Sequence, residues 1–110
     1  MLDGYWEKSP SEKKYVDVDF AAEIPSGDTI KNPGVGIATA AVVTTSTGVD
    51  VTNTLVSTLA VSGTKLRITF ASAGVDGMDY RVIARAQMNL AATIFDKMYE
   101  LRVRASRRTF

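Results

Sequence analysis

Residues 76–82 read Asp-Gly-Met-Asp-Tyr-Arg-Val and constrain the fold more than any other part of the chain. An aspartate and a glycine suit a tight turn, and the residues that follow begin an alternating strand. A tyrosine at that place is typical of a tyrosine corner, whose ring packs inside and whose hydroxyl bonds to nearby backbone. The predicted corner residues are Asp76, Gly77, Tyr80 and Val82. They predict an all-β chain folded as an immunoglobulin-like β-sandwich of about seven to eight antiparallel strands.

The chain has 110 residues, the size of one sandwich domain with no room for a second core. It contains no cysteine, so no disulfide joins the sheets and an oxidising compartment is not indicated. No apolar run approaches the ~18 residues that span a bilayer, and the first residues lack the features of a secretory signal. We therefore expect synthesis in the cytosol and no membrane partner.

Three segments are predicted along the chain. Residues 1–14 are polar and show no period, which indicates an irregular N-terminal arm. Residues 15–104 carry the sandwich, and residues 105–110 form a basic C-terminal tail. Helix is the alternative for residues 84–98, where Ala, Leu, Met and Gln are common, but the period-two patterns on both sides favour strand.

Alternating residues predict which side chains face the core. Strands are expected from Tyr15 to Phe20, at Thr29 and Ile30, from Val35 to Thr45, from Val51 to Val61, from Lys65 to Phe70, from Tyr80 to Met88, and within residues 94–104. The uncharged segment from Val35 to Thr45 indicates burial on both faces or an interface with another chain. The inward positions are Leu66, Ile68, Phe70, Tyr80, Val82, Ala84, Ala86 and Met88, with Tyr99, Leu101 and Val103 on one face of the last strand.

Charge is divided unevenly along the chain. Residues 1–55 hold four Lys and eight acids, a net charge of −4, whereas residues 56–110 hold nine Lys or Arg and four acids, a net charge of +5. One explanation is complementarity between copies or with a partner. The favoured explanation is that the first and last strands are neighbours, so that Asp17 and Asp19 face Arg102 and Arg104.

Residues that carry chemistry are scarce. Histidine and cysteine are both absent, which removes the commonest general base, the thiolate nucleophile and most transition-metal ligands. Asp17 and Asp19 share one strand face near Glu23, the arrangement of a carboxylate pair or half a calcium site. Acids that face solvent on a strand are far commoner, so we expect no catalytic residue, no cofactor and no metal.

The two chain ends hold the predicted partner-binding residues. Tyr5 and Trp6 are adjacent aromatics in a polar segment, and they either fold back onto the domain edge or anchor another subunit. The C-terminal arginines have no interleaved aromatics, which argues against nucleic acid as a partner and favours a protein interface. The set is Tyr5, Trp6, Arg102, Arg104, Arg107 and Arg108.

Three segments resemble the small phage fiber-tail adaptor family. Tyr15 to Phe20 followed by Gly27-Asp28-Thr29-Ile30 resembles the family's opening strand and turn. Ser72 to Val82 resembles its small-residue turn leading into Tyr-x-Val, and Asp96 to Arg104 resembles its charged final strand.

The resemblance implies a structural component of a tailed-phage virion, an Ig-like adaptor that links tail or neck to tail fibers or adjacent subunits. Its partners would be other virion proteins, and several copies would sit in a symmetric assembly. Two other functions stay open at this point. One is a capsid decoration or neck protein, and the other is a carbohydrate-binding sandwich, which generally needs a planar group of exposed aromatics.

Overall fold

Two sheets pack against each other in the computed structural model, which describes residues 2–91 and 93–105. Within those residues one sheet has the strand order β1-β7-β6-β3 and the other the order β2-β5-β4. Neighbouring strands are antiparallel except β1 and β7, which are parallel. The elements are β1 (Gly4–Lys8), β2 (Lys14–Asp19), β3 (Ala40–Thr45), α1 (Thr52–Leu55), β4 (Val56–Ser62), β5 (Lys65–Phe70), β6 (Asp79–Gln87) and β7 (Ile94–Val103).

The core follows the alternation predicted from the sequence. Successive side chains of a strand point to opposite faces, so every second residue of β2, β5 and β6 enters the space between the sheets. Tyr99 is only partly buried, which leaves it at the margin of this core. The fully buried residues include Val18, Phe20, Leu66, Ile68, Phe70, Val82, Ala84, Ala86, Met88, Leu101 and Val103. The all-β sandwich is therefore confirmed. The helix considered for residues 84–98 is wrong, because residues 84–87 end β6 and residues 94–98 begin β7.

The predicted corner crosses from one sheet to the other. It follows β5 of the three-stranded sheet and leads into β6 of the four-stranded sheet. Gly77 has a φ of 84°, which glycine adopts without the steric cost that a Cβ brings. Tyr80 is buried, and its hydroxyl accepts a hydrogen bond of 3.1 Å from the backbone N–H of Val75.

Residues 4–8 correct the prediction of an irregular arm over residues 1–14. They form β1, which pairs in parallel with β7, from Gly4 opposite Tyr99 to Lys8 opposite Val103. The prediction that the strands are all antiparallel is wrong for this pair. A five-residue strand shows too little alternation to be distinguished from a loop, and its partner lies far away in sequence.

Three other strand predictions also need correction. The strand expected from Val35 begins only at Ala40, because residues 32–36 contain Pro33 and turn at Gly36, whose φ is 76°. Residues 52–55 are the short α1 rather than strand, and Asp50 accepts hydrogen bonds from both the backbone and the hydroxyl of Thr52 there. The strand at residues 29–30 is reduced to an isolated bridge between Ile30 and Met88.

The expected pairing of Asp17 and Asp19 with the C-terminal arginines is wrong. β2 and β7 lie in different sheets, and the neighbour of β2 is β5. Asp17 makes a bidentate ion pair with Arg67, at 2.8 and 3.1 Å, and Asp19 lies opposite Lys65. The acidic and basic halves of the chain therefore meet between β2 and β5, and also where Lys97 of β7 lies 3.1 Å from the carboxylate of Glu23.

A buried carboxylate holds the turn between β6 and β7. Asp28 accepts backbone hydrogen bonds from Thr29, Leu90 and Ala91 at 2.8, 2.9 and 3.1 Å. Burial opposes ionisation, but these N–H groups outweigh it and hold the pKa of Asp28 below its usual range. No helix among the described residues has the length and apolar character needed to cross a membrane.

We expect Tyr80→Phe to lower the free energy of unfolding by about 1 kcal/mol, because it removes the hydrogen bond to Val75 and leaves the ring in place. The matched control is Tyr15→Phe, since Tyr15 is exposed and its hydroxyl has no hydrogen bond within the described residues. Urea denaturation of both variants measures the difference. Equal stability of the two would contradict the role assigned to the corner hydroxyl.

The lowered pKa of Asp28 makes stability depend on acid. Its contribution is present above the unfolded-state value of about 3.9 and is lost as the pH falls through the lower folded-state value. Asp28→Asn should be less stable at neutral pH and should lose less stability on acidification than the parent. Denaturation from about pH 7 to about pH 2 tests this, with Glu7→Gln as a control, an exposed carboxylate that accepts no described hydrogen bond.

Candidate partner interface

The first strand, β1, pairs in parallel with the last strand, β7, and this pairing decides which residues meet. Tyr5 lies opposite Glu100 and Glu7 lies opposite Arg102 on the face that points away from the core. The guanidinium carbon of Arg102 is 3.9 Å from the centroid of the Tyr5 ring, and its Nε donates to Glu100 at 2.6 Å. The structure thus brings together two predicted residues, Tyr5 and Arg102, from opposite ends of the sequence.

Trp6 points the other way, because successive residues of a strand face opposite sides. Its ring stacks on Tyr99 with centroids 4.3 Å apart and an interplanar angle of 17°, and it lies 5.9 Å from the Phe70 ring. Of the two alternatives for the aromatic pair, folding back onto the domain edge accounts for Trp6. Tyr5 stays 57% exposed, so Tyr5 is the residue of the pair available to a partner.

Lys8 is a buried lysine that the sequence analysis did not single out. It is the next inward position of β1, and its residue is only 2% exposed. Its Nζ donates to the carbonyls of Ala73 at 2.7 Å and Ser9 at 2.8 Å. Burial lowers the pKa of this ammonium, and nearby Glu12 offsets part of that effect. Lys8 therefore fastens β1 to the segment that precedes the corner.

Arg104 joins the end of β7 to the corner. Its Nη2 lies 2.7 Å from the carboxylate of Asp79, and its Nη1 donates to the carbonyls of Val103 and Met78 at 2.9 and 3.3 Å. The carboxylate of Asp76 accepts the backbone N–H of Ala105 at 2.7 Å. Arg104 thus has a role inside the domain, and its partner-binding role stays a prediction. Arg107 and Arg108 lie outside the described residues.

We define the outer sheet surface as the outward side chains of the four-stranded sheet. It comprises Tyr5, Glu7, Ala40, Val42, Thr44, Asp79, Arg81, Ile83, Arg85, Gln87, Ile94, Asp96, Met98, Glu100 and Arg102. Its centre is apolar, because Val42, Ile83 and Met98 lie side by side across three strands. Charged residues flank that row on both sides, and Arg85 and Asp96 close one flank with a bidentate pair at 2.7 and 3.0 Å.

Arg81 is a cation of the outer sheet surface that has no acidic partner among the described residues. It lies opposite both Glu100 and Thr44, but the Glu100 carboxylate is occupied by Arg102. Within residues 2–91 and 93–105 Arg81 makes no ion pair. A depression of about 210 Å³ lies beside it, lined by Leu2, Ser46, Asp79, Tyr80, Arg81, Met98, Tyr99 and Glu100. The surface therefore offers an apolar row, a recess and a free guanidinium side by side.

The residues considered for catalysis, metal binding or sugar binding have other contacts in the structure. Asp17 is held by Arg67, which lowers the pKa of that carboxyl through the hydrogen bond and the nearby charge, although burial opposes it. The described residues contain no group of three or more acids that could hold a metal ion. The exposed tyrosines Tyr5 and Tyr15 lie on different sheets, each beneath an arginine, so they do not form a planar platform for sugars.

Residues 8–99 match the family described as podophage GP4 fiber-tail adaptor protein gp77. The chain belongs to this fiber-tail adaptor family. No curated protein and no solved structure matched the chain. Membership indicates a structural role in the virion, a place in the phage tail, and binding to other virion proteins such as the tail and its fibers. It confirms the family resemblance found in the sequence and favours the adaptor role over a capsid decoration or a sugar-binding module.

The matched residues divide the predicted site residues into two groups. Asp76, Gly77, Tyr80 and Val82 lie within residues 8–99, as do Arg81, Ile83 and Met98 of the outer sheet surface. Tyr5, Trp6 and the C-terminal arginines lie outside them. The adaptor's family likeness thus covers the corner and the middle of the outer sheet surface.

We expect Lys8→Met to remove a rise of stability with pH. Because the folded-state pKa of Lys8 is lowered, the unfolded state binds more protons between that value and the usual lysine value, and stability increases with pH there. Methionine keeps an apolar stem and cannot titrate. Denaturation at steps from about pH 8 to about pH 10 should show the parent gaining stability relative to Lys8→Met. The control Lys13→Met, at an exposed lysine, should follow the parent.

Proposed function

We propose that this chain is an Ig-like adaptor that docks on a neighbouring virion protein through the outer sheet surface. The observation that carries the proposal is the apolar row of Val42, Ile83 and Met98 beside Arg81, which has no ion pair in the part of the chain that the structure describes. Stable interfaces combine an apolar centre with a polar rim, and arginine is favoured in them because its planar fork pairs with carboxylates. An acidic, partly apolar surface on the tail or fiber protein would complement this arrangement.

The strand order supports the Ig-like part of the proposal. In the constant-type immunoglobulin sandwich, strands B, E and D share one sheet with A, and strands C, F and G form the other. Here β2, β5 and β4 take the order B-E-D, and β7, β6 and β3 take the order G-F-C. The first strand differs, since β1 pairs with β7 instead of joining β2. The tyrosine hydroxyl bond at the start of β6 is the second point of agreement.

The chain ends contribute by shaping this surface. Tyr5 of β1 and Arg102 of β7 stack at its rim, and Glu100 accepts a hydrogen bond from Arg102 there. On the opposite face of β1, Trp6 stacks on Tyr99 and Lys8 donates to the Ala73 carbonyl, which holds the strand in place. A rim whose side chains are already ordered loses less conformational entropy when a partner binds. We assign Tyr5 and Arg102 to contact with the partner and Trp6 to support. Several copies on one tail, made in the host cytoplasm before assembly, complete the proposal.

Arg81→Glu should reduce the number of copies per tail by tenfold or more, because it puts a second acid beside Glu100 and repels an acidic partner. Tails assembled in cells that carry only the variant gene are purified, and the chain is quantified against the tail-tube protein by mass spectrometry. The control Lys13→Glu makes the same charge change at an exposed residue outside the outer sheet surface. Both variants should keep their free energy of unfolding within about 0.5 kcal/mol. Parent-like incorporation of Arg81→Glu would refute docking through this surface.

A further inference from the structure

Among the described residues, the edge strands of the three-stranded sheet are β2 and β4, and they differ in chemistry. β4 is one edge strand and reads Val-Ser-Thr-Leu-Ala-Val-Ser, without a charge or a proline. Natural proteins usually protect such an edge with charges, proline or a covering segment, because its unpaired backbone groups attract another strand. Apart from the N–H of Val56, which donates to the Thr52 carbonyl, none of the described hydrogen bonds gives β4 a backbone partner other than β5. The edge is therefore ready to accept a strand.

The surface next to β4 has cations on β5 but no acidic side chain on β4 itself. Ala60 lies opposite Arg67 and Ser62 lies opposite Lys65, so small side chains border two long cations. A depression of about 350 Å³ occupies this place, lined by Asp17, Ala60, Val61, Ser62, Lys65 and Arg67. Arg67 is paired with Asp17, but Lys65 makes no ion pair or side-chain hydrogen bond within the described residues. A carboxylate on an added strand would reach Lys65 across Ser62.

The other edge strand has the matching pattern. β2 reads Lys-Tyr-Val-Asp-Val-Asp, with Val16 and Val18 facing the core and Asp17 and Asp19 facing outward. Along its free edge, the described partner is the Lys97 ammonium, which donates to the Asp19 carbonyl at 2.9 Å. A strand with apolar residues inward and acids outward would complement the β4 edge. The inward residues of β4, Leu59 and Val61, are only half buried, and an added strand would cover them.

From these two edges we infer that copies of the chain join head to tail, with β2 of one copy adding in parallel to β4 of the next. The register already present in each sheet aligns Asp19, Lys65 and Ser62. Repeating that spacing places Asp19 of the neighbour beside Ser62, within reach of the free Lys65. Each joint would continue the sheet by three strands. A head-to-tail contact of this kind closes into a ring when its rotation permits.

A symmetric joint between two β4 strands is disfavoured by the same residues. The outward residues of β4 are Thr58, Ala60 and Ser62, none of which brings a carboxylate to Lys65. A joint between two β2 strands would bring acids against acids. The inference rests on the proposal that several copies share one tail, but it uses the edges of the other sheet and does not involve the outer sheet surface.

Engineered cysteines test the joint, because the chain has no cysteine of its own. Tyr15 and Thr58 both lie opposite Thr69, so within one copy they are two strands apart, about 10 Å, too far for a disulfide. Across the proposed joint they become neighbours. Tails carrying Tyr15→Cys with Thr58→Cys should give a ladder of covalent multimers on a non-reducing gel after mild oxidation, and each single variant should give at most dimers. Absence of the ladder in tails that contain the double variant overturns the inference.

Charge reversal then tests the register. In the double-cysteine background, Lys65→Glu should weaken the ladder at least tenfold, and adding Asp19→Lys should restore it. A ladder that is indifferent to both changes would overturn the assigned pairing. The two proposals can fail separately. Parent-like incorporation of Arg81→Glu into tails would refute docking through the outer sheet surface, whereas tails that contain the double-cysteine chain but give no ladder would refute only the joint between copies.

Cryo-EM of tails with the unaltered chain gives a second test of the joint. It should show β2 of one copy beside β4 of the next, and any other neighbour of β4 overturns the inference.

Discussion

The backbone bonds between Val103 and the corner hold the sandwich in register. Gly77 donates to the carbonyl of Val103 at 2.8 Å, and Val103 donates to the carbonyl of Met78 at 3.0 Å. These bonds tie the end of β7 to the turn that carries the chain from one sheet to the other. Gly74 lies against the same residue, since a Cβ built there would be 3.0 Å from the Val103 side chain. The placement of β1 and of the outer sheet surface depends on how the end of β7 is held at Val103, because β1 pairs with β7.

Much of the interior was predictable from alternation alone. Leu66, Ile68 and Phe70 and the face from Tyr80 to Met88 are buried as expected, because period two is a local signal that each strand shows by itself. The corner was predictable for the same reason, since turn residues and tyrosine lie within a few positions of one another. Pairing between distant strands was not predictable. Alternation says which face of β2 is buried, but it does not say that β5 and not β7 is the neighbour, and so the pairing of Asp17 was missed.

The candidate site was also only partly predictable, because the roles of its residues depend on pairing between distant strands. Tyr5, Trp6 and Arg102 were noticed as unusual residues at the chain ends, but their division of roles follows from β1 being a strand. Once Tyr5 points outward, Trp6 must point inward. Lys8 then enters the core as the next inward residue, where its stem packs and its ammonium must find carbonyls. The sequence contained no signal for a buried lysine, because lysine in a polar segment ordinarily lies in solvent.

The distribution of ion pairs separates stability from assembly. Five pairs are described, and their side chains keep roughly a fifth to a half of their surface in contact with water. Exposed pairs of this kind contribute little to folding, so stability rests on the apolar core and the corner. Arg81 on one sheet and Lys65 on the other are among the cations that make no ion pair within the described residues, and each lies beside a recess. In the proposed assembly, the adaptor holds its own copies and another virion protein at the same time. Because Arg81 and Lys65 lie on different sheets, the two proposed contacts would form independently, with charge setting register and the core unaffected.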